Sequence, residues 1–241
     1  MMFSWFAFFR HQSDASIRLD SENIAKLASI LRSIPSLRRG LLFTPAPVGT
    51  VHPFPEDEPP PMLALQLNFP RIEMLEATVA ADGPLRALTD TRGLPWLAHV
   101  NPTQQVMLTR SFPVPDPQVR APPRGLACSY LVHYPGEAED INAWLMHYVK
   151  HHPPLMARFP GVREIEIYSR VDWCGGLPWP REVTMQRNRL MFDTPEALSA
   201  GLSSSVLVEM RKDRGKFPPF TGGAVHYPLL TQTIRSMAQD S

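Results

Sequence analysis

Three histidines near the end of one helix-like segment are the residues best suited to chemistry. His147 and His151 are four residues apart, so a helix places both on one face, and His152 follows directly. This spacing suits zinc or haem, but no Cys-x-x-Cys, His-Glu-x-x-His or acidic cluster accompanies it. We therefore expect no metal and no cofactor. His147 and His151 are expected on the solvated face, where a protonated imidazole complements the helix dipole.

His152 differs from the other two because it immediately precedes Pro153 and Pro154, where the chain is stiff and a side chain can be aimed. An imidazole titrates near neutral pH and can remove or return a proton on a substrate carbon without a cofactor. We therefore predict that His152 is a general base. The alternative is a histidine whose ring bonds a backbone carbonyl and fixes the turn.

Two further candidates lie on the segment Leu126–Tyr134, which alternates as a β-strand does. Tyr130 lies on one face of this strand and His133 on the other. One face should look toward helices and any pocket, and the other toward an opposing sheet. Either Tyr130 or His133 would then line the pocket and assist the base, although both are also compatible with core packing.

A long loop carries two tryptophans that could cover a site. The segment Asp172–Pro180 contains Trp173, Trp179, the thiol of Cys174 and two adjacent glycines. Ordered loops of this composition often close over a binding site, so we predict Trp173 and Trp179 as substrate-pocket residues. Packing on the barrel or on a neighbouring subunit is the alternative.

The elements that must position these residues fall into two similar halves. Residues 1–112 show the order strand, helix, strand, strand, helix, strand, and residues 124–241 repeat it. The connection 113–123 holds five of the 27 prolines and cannot form a regular element. We predict an α+β fold of two tandem ferredoxin-like βαββαβ repeats joined by this proline-rich linker.

Residue matches between the halves support the duplication. At an offset of about 125, Ser4-Trp5 aligns with Ser129-Tyr130 and Ile34-Pro35 with Phe159-Pro160. Further along the repeats the offset falls to 123, where Phe69 aligns with Phe192, and to 122, where Leu108 aligns with Leu230. Loops of unequal length produce such a drift, so the matches favour an ancestral repeat.

Three element boundaries in the second half are predicted from proline and capping signals. The helix from Glu137 should end at His151, before the two prolines. Thr194 should cap a helix with Pro195 at its first position that runs to about Met210. The last strand, Ala224–Thr231, contains Pro228 and should therefore lie at a sheet edge or carry a bulge.

The run from His151 to Arg163 follows a helix with Trp144 and Tyr148 and resembles the EthD-like family of the dimeric α+β barrel superfamily. The family pattern is an aromatic on the first helix, then His-x-Pro-Leu, then Pro-Gly before the second strand. The matching residues are His152, Pro154, Leu155, Pro160 and Gly161. The resemblance covers Leu126–Ser236. In the first half Leu27 stands at the histidine position and Pro35-Ser36 replaces Pro-Gly, so that half lacks the motif.

This resemblance implies two ferredoxin-like units packed sheet against sheet into a barrel, each with a pocket between its sheet and its helices. It implies that Trp144 and Tyr148 belong to the substrate pocket of the second unit. A tandem chain can form the barrel alone, and two such chains could form a homodimer. Relatives include cofactor-free monooxygenases, lactone isomerases, polyketide cyclases and haem-binding enzymes, so the resemblance specifies a fold better than a reaction.

Composition excludes several classes of protein. Lys+Arg 24 against Asp+Glu 23 gives a net charge of +1, which argues against a nucleic-acid partner. The apolar segment Met1–Phe9 is too short for a membrane helix and lacks the flanks of a signal peptide. We expect a cytoplasmic protein without a membrane association, and we expect both cysteines, Cys128 and Cys174, to be free thiols.

Two functional hypotheses follow. The first is a catabolic enzyme that acts without a cofactor on a small apolar or aromatic metabolite, by proton transfer, cyclisation, isomerisation or oxygenation. It predicts an enclosed pocket that holds at least two of the polar candidates. The second is a non-catalytic ligand-binding or scaffold protein whose pocket is collapsed by apolar side chains.

Overall fold

Eight strands form one closed antiparallel barrel in the computed structural model, which describes residues 2–50, 53–54, 57–123 and 125–235. The strands are β1 (Met2–His11), β2 (Arg39–Pro45), β3 (Leu63–Phe69), β4 (Val100–Phe112), β5 (Ala127–Tyr134), β6 (Val162–Arg170), β7 (Gln186–Phe192) and β8 (Val225–Arg235). Their order around the barrel is β1-β3-β2-β8-β5-β7-β6-β4. Each half of the chain therefore supplies four neighbouring strands, and the halves join where β2 pairs with β8 and β4 with β6.

Helices lie against the two half-sheets. They are α1 (Ser21–Arg32), α2 (Ile72–Val79), α3 (Ile141–Met156), α4 (Pro195–Leu202) and α5 (Val206–Arg214), with short 3₁₀ helices at Pro84–Thr89 and Pro95–His99. The predicted α+β barrel is confirmed, while its derivation from two ferredoxin-like repeats stays an interpretation. Among the described helices, none combines the length and the apolar character needed to cross a bilayer.

Side-chain alternation divides the interior into three cores. One lies between the first half-sheet and its helices and includes Trp5 and Leu31. A second lies between the other half-sheet and α3 to α5 and includes Trp144 and Phe192. The third fills the barrel, where residues such as Leu131 meet across the two half-sheets. Neighbouring residues of one strand therefore serve different cores.

Local capping signals begin two of the helices as predicted. The Asp20 carboxylate accepts a hydrogen bond from the Asn23 backbone N–H at 2.7 Å at the start of α1. The Thr194 hydroxyl accepts one from the Ala197 N–H at 3.1 Å at the start of α4, where Pro195 is the first helical residue. Both caps need only residues within the first turn.

The prediction that α3 ends before Pro153 is wrong, because the helix continues through both prolines to Met156. Proline already holds a helical φ, and its carbonyl can still accept a hydrogen bond. The Pro153 carbonyl accepts the Ala157 N–H at 3.0 Å and closes the last turn. His152 therefore lies within the helix rather than in a turn that follows it.

The predicted single helix from Thr194 to Met210 is also wrong, since α4 and α5 are separated at Ser203–Ser205. The Ser203 hydroxyl donates to the Ser199 carbonyl at 2.8 Å, and the Ser204 hydroxyl donates to the Gly201 carbonyl at 2.7 Å. Serine side chains compete in this way for the carbonyls that a continuing helix would use. The break lets α5 take its own direction against α3.

Strand β8 is not an edge strand, because it pairs with β2 on one side and β5 on the other. The Pro228 carbonyl accepts from the Ala46 N–H at 3.1 Å, one residue beyond the end of β2. In an antiparallel strand the N and C=O of one residue point the same way, so the donor that Pro228 lacks faces the place where β2 has ended. The proline is thus tolerated inside a closed barrel.

Candidate functional site

A cavity of about 70 Å³ lies between the second half-sheet and helices α3 to α5. Its walls are mainly apolar and include Leu190 and Met210. Polar groups also line it, among them Tyr130, His152 and Asn188. This volume exceeds the ~10–15 Å³ that one water molecule needs, so the cavity has room for water. Two of the three predicted catalytic residues, His152 and Tyr130, therefore lie on one cavity.

His152 is held there by a carboxylate on another helix. Its Nδ1 lies 2.7 Å from Asp213 Oδ2, and both side chains are buried. The second oxygen of Asp213 lies 3.3 Å from Nε2 of His147. An ionised carboxylate can only accept, so the His152 proton sits on Nδ1 and the lone pair on Nε2. His152 therefore bonds to a carboxylate and not to a backbone carbonyl, which was the alternative considered from the sequence.

The electrostatics of this pair favour a neutral, proton-accepting imidazole. Burial lowers the pKa of His152, and the hydrogen bond with Asp213 opposes the shift only in part. The same hydrogen bond is the main cause that lowers the pKa of Asp213. At neutral pH the pair therefore consists of a neutral imidazole beside an ionised carboxylate, which is the arrangement a general base requires.

Tyr130 and Asn188 contribute different polar groups to the cavity. Burial raises the pKa of Tyr130 well above its usual value, and the nearby charge of Asp57 adds to the effect, so the phenol stays protonated. Asn188 donates from Nδ2 to the Tyr148 hydroxyl at 2.7 Å, and its buried Oδ1 has no hydrogen-bond partner among the described residues. Tyr130 can therefore act as a donor and Asn188 as an acceptor.

The loop that follows β2 brings residues of the first half to the same cavity. Phe54 lines it and stacks on His226 with ring centroids 3.8 Å apart and planes 5° from parallel. His226 was not among the residues predicted from the sequence. Its ring also lines the cavity, and its Nδ1 lies 2.7 Å from Asp57 Oδ2. The wall of this cavity is thus built partly from the first half of the chain.

His133 faces away from this cavity, on the opposite side of β5 from Tyr130. Its Nδ1 accepts from Nε of Arg187 at 3.3 Å, and its ring packs edge-on against Phe8 and Tyr227. Strand alternation causes the separation, because residues 130 and 133 lie on opposite faces. The structure therefore does not bring His133 together with His152.

Trp144 and Tyr148 lie behind the cavity wall rather than on it. Trp144 is fully buried and stacks on Tyr148 with centroids 5.0 Å apart, and its edge packs against Phe217. Tyr148 in turn packs against the His152 ring at 4.8 Å. Both aromatics support the position of His152 on α3 instead of lining the volume beside it.

Trp173 and Trp179 are far from the cavity, because their loop packs on the first half of the chain. Trp179 stacks on Trp5 with centroids 6.1 Å apart and meets Phe9 edge-on at 5.3 Å. The Gly176 N–H donates to the Val79 carbonyl at 2.8 Å. Trp173 is partly buried against the same core. This loop therefore packs on the barrel, which was the alternative to covering a site. Its tryptophans fill space between the first half-sheet and its helices.

Replacing Trp179 by alanine should lower the free energy of unfolding by about 3 kcal/mol, the low end of the range for Trp→Ala, because the ring keeps a small exposed fraction. Urea unfolding would measure the loss. The imidazole NMR signals of His152 should stay unchanged. A substitution of Tyr148, which packs against His152, should shift those signals and serves as the reference. A shift of the same size in Trp179→Ala would show that Trp179 does contribute to the cavity.

Sequence reasoning missed Asp213, His226 and Phe54. Asp213 sits in the run Arg211–Lys216, which has the composition of a solvated helix end. Phe54 belongs to a proline-rich stretch without periodicity. Asn188 could have been suspected from the sequence, because it lies between Arg187 and Arg189 in a strand whose apolar pattern is interrupted. The other contacts arise from packing between distant segments.

Comparison with solved structures finds the same fold along the whole chain. An anthrone oxidase-like protein aligns with a TM-score of 0.62 and 10% identity, over 100% of this chain and 96% of its own. A candidate monooxygenase from Lactobacillus acidophilus aligns with a TM-score of 0.55 and 11% identity, over 98% and 96%. An EthD family protein from Bacillus halodurans aligns at 22% identity over 44% of this chain and 97% of its own, with a TM-score of 0.34.

No protein-family model matches the chain, and no curated protein matches it. Full-length structural matches at such low identity establish a fold and leave the reaction open. They match the fold described above along nearly the whole of this chain and of their own. The chain forms a closed α+β barrel whose eight strands all come from one polypeptide, and these solved structures share its fold.

Proposed function

We propose that this chain is an EthD-like enzyme that transfers a proton on a small apolar or aromatic metabolite without a cofactor. The observation that carries the proposal is the 2.7 Å contact between His152 Nδ1 and Asp213 Oδ2 on the wall of an apolar cavity. A buried imidazole oriented by a carboxylate is suited to general-base catalysis. The apolar walls favour a substrate that is largely hydrocarbon.

The proposed step is removal of a proton from a carbon next to a carbonyl group. Nε2 of His152 takes the proton, the electron pair of the C–H bond forms a C=C bond to the carbonyl carbon, and the π pair of the C=O bond moves to oxygen to give an enolate. Asp213 stabilises the imidazolium that results, and the protonated Tyr130 hydroxyl can donate to the enolate oxygen. In a β,γ-unsaturated carbonyl compound the enolate is conjugated with the C=C bond, and return of the proton to the γ-carbon completes an isomerisation.

The same enolate could instead close a ring or react with dioxygen. Among the structural neighbours, the anthrone oxidase-like protein and the candidate monooxygenase carry names that favour oxygenation. Proton removal from carbon is common to all these outcomes, so the proposal is stated for that step. It assigns the same role to His152 whichever product forms.

The size of the cavity limits the substrate. A volume of about 70 Å³ is under half of the ~150 Å³ that holds benzene in an engineered cavity, so a ring fits only if a wall side chain moves. Movement of Phe54 would enlarge the cavity, and Phe54 belongs to the loop after β2 rather than to a strand or helix of the second half. Compact substrates with one ring are therefore favoured.

We expect the wild-type protein to exchange the α-protons of cyclopentanone or phenylacetone for deuterium in D₂O, measured by loss of the ¹H NMR signals. His152→Ala should reduce the enzymatic rate by about 10²–10⁴-fold, the usual contribution of a general base. Leu155→Ala, a partly buried change on the same helix, is the matched control and should retain most of the rate. Equal rates in wild type and His152→Ala would refute the proposed base.

A non-catalytic ligand-binding protein is the second candidate, and the small cavity volume is the observation that favours it. In that case the ketones would shift the NMR signals of cavity residues without any deuterium exchange. His152→Ala would then change the affinity only slightly. The same experiment thus separates the two functions, since one predicts exchange and the other predicts binding alone.

A further inference from the structure

A second cavity, of about 410 Å³, opens at one end of the barrel. It shares no lining residue with the cavity beside His152 and lies on the other face of β5. Its polar lining residues are Arg10, Glu58, His133, Glu182, Thr184 and Tyr227. This barrel-mouth cavity has no part in the proton transfer proposed above, so its function can be considered separately.

His133 offers an unused hydrogen-bond donor beside the barrel-mouth cavity. Its Nδ1 accepts from Nε of Arg187 at 3.3 Å, so the ring proton must lie on Nε2. Within the described part of the chain Nε2 is buried and has no hydrogen-bond partner, and the whole residue is 7% exposed. Such a group calls for an acceptor, either a water molecule or a ligand.

The chain's own Glu58 shows what kind of acceptor the cavity takes. Its carboxylate accepts from Nη2 of Arg10 at 3.0 Å and from the Tyr227 hydroxyl. Arg10 Nη2 also lies 2.7 Å from the Tyr227 hydroxyl, so the two donors form one group. The Glu58 side chain is 55% exposed, which means that solvent competes for its carboxylate. Tyr227 is thus a buried donor, Arg10 is a half-buried one with a side chain 36% exposed, and the carboxylate that they share is replaceable.

The two arginines beside the barrel-mouth cavity differ in how their positive charges are balanced. Arg187 is fully buried and is matched by the carboxylate of Glu182. Among the residues that the structure describes, the carboxylate paired with Arg10 is that of the largely exposed Glu58. If Glu58 turns outward into water, a ligand with a single negative charge restores the balance at Arg10. Carboxylate geometry also suits donation from two directions, one oxygen to each donor group.

We propose that the barrel-mouth cavity binds a small monocarboxylate, which replaces Glu58 on Arg10 and Tyr227 and accepts a hydrogen bond from His133. Glu58 then acts as an internal competitor for the same donors. A neutral ligand of the same shape lacks the charge that Arg10 requires, so the cavity distinguishes acids from amides. The proposal does not depend on His152 and holds whether or not that residue is catalytic.

Sodium acetate is the probe, with acetamide and an equal ionic strength of sodium chloride as controls. We expect acetate to shift the ¹⁵N signals of the His133 ring in a saturable manner, with a dissociation constant of about 1 mM or weaker, as the small size of acetate implies. Acetamide and chloride should leave these signals in place. Identical responses to acetate and acetamide would overturn the proposal.

Substitutions of Glu58, the internal competitor, and of the donors Tyr227 and His133 test the proposed site separately. Glu58→Gln should tighten acetate binding by about tenfold, because a neutral amide competes poorly for Arg10. Glu73→Gln, which alters an exposed ion pair with Arg71, should not change it. Tyr227→Phe removes only a hydroxyl and should weaken binding at least fivefold, and His133→Phe should do the same if it folds. An unchanged affinity in both Glu58→Gln and Tyr227→Phe would refute the site.

Discussion

Asparagine in place of Asp213 should lower the rate of proton exchange by about 10²–10⁴-fold, nearly as much as removal of His152 itself. The carboxylate of Asp213 accepts the Nδ1 proton of His152 at 2.7 Å and leaves the lone pair on Nε2. An asparagine amide can donate to Nδ1 instead, which would move the ring proton to Nε2. The nitrogen that should act as the base would then carry a proton.

The tautomer itself gives a direct measurement of this effect. In the wild type the ¹⁵N NMR spectrum should show His152 protonated on Nδ1, and in Asp213→Asn it should show protonation on Nε2. Glu209→Gln, on the same helix and in an exposed ion pair with Arg158, is the matched control and should change neither the tautomer nor the rate. A lost rate with an unchanged tautomer would assign Asp213 a purely structural role.

Much of the fold could be predicted because its signals are local. The N-caps at Asp20 and Thr194 involve residues within one turn, and alternation along β5 assigns Tyr130 and His133 to opposite faces. The boundaries that failed, at Pro153 and at Ser203, depend on local competition for backbone carbonyls, and the residue types alone do not decide its outcome. Local pattern therefore predicts which elements exist more reliably than where they stop.

The candidate site could be predicted only in part, because its second half comes from distant segments. His152 has a local signal in the prolines that follow it, whereas Asp213 lies 61 residues away in a basic run. Only the packing of α5 against α3 turns that carboxylate into a partner. Phe54 and Trp179 show the same limit, since each loop crosses to the other half of the chain, and no period or motif in a sequence specifies such a crossing.

Methionine in place of Arg189 should lower the free energy of unfolding by about 3–5 kcal/mol, the range for removal of one partner from a buried ion pair. Arg189 is fully buried inside the barrel. Its Nη2 donates to Glu164 Oε2 at 2.6 Å and to Glu166 Oε2 at 2.7 Å. Arg39 would remain as the cation beside both carboxylates, at 2.5 Å from Glu164 and 3.5 Å from Glu166.

The dependence of this loss on pH distinguishes charge from packing. Burial raises the pKa of Glu166, but the charges of Arg189 and Arg39 outweigh it and bring the pKa down to about 2. In the wild type Glu166 therefore stabilises the fold above its unfolded pKa of about 4.5, and this contribution is lost as the pH falls toward 2. Without Arg189, burial should dominate and raise the folded pKa above the unfolded value.

The sign of the Glu166 contribution should thus reverse in Arg189→Met. Protonation would then favour the folded state, so the difference in unfolding free energy between wild type and variant should shrink as the pH falls from 7 to 4. Urea unfolding at several pH values would measure it. Arg158→Met, which breaks an exposed ion pair with Glu209, should cost less than about 1 kcal/mol at each pH. A loss in Arg189→Met that stays constant from pH 7 to 4 would mean that the arginine acts through packing, and that the charges of Glu164 and Glu166 are balanced by Arg39 alone.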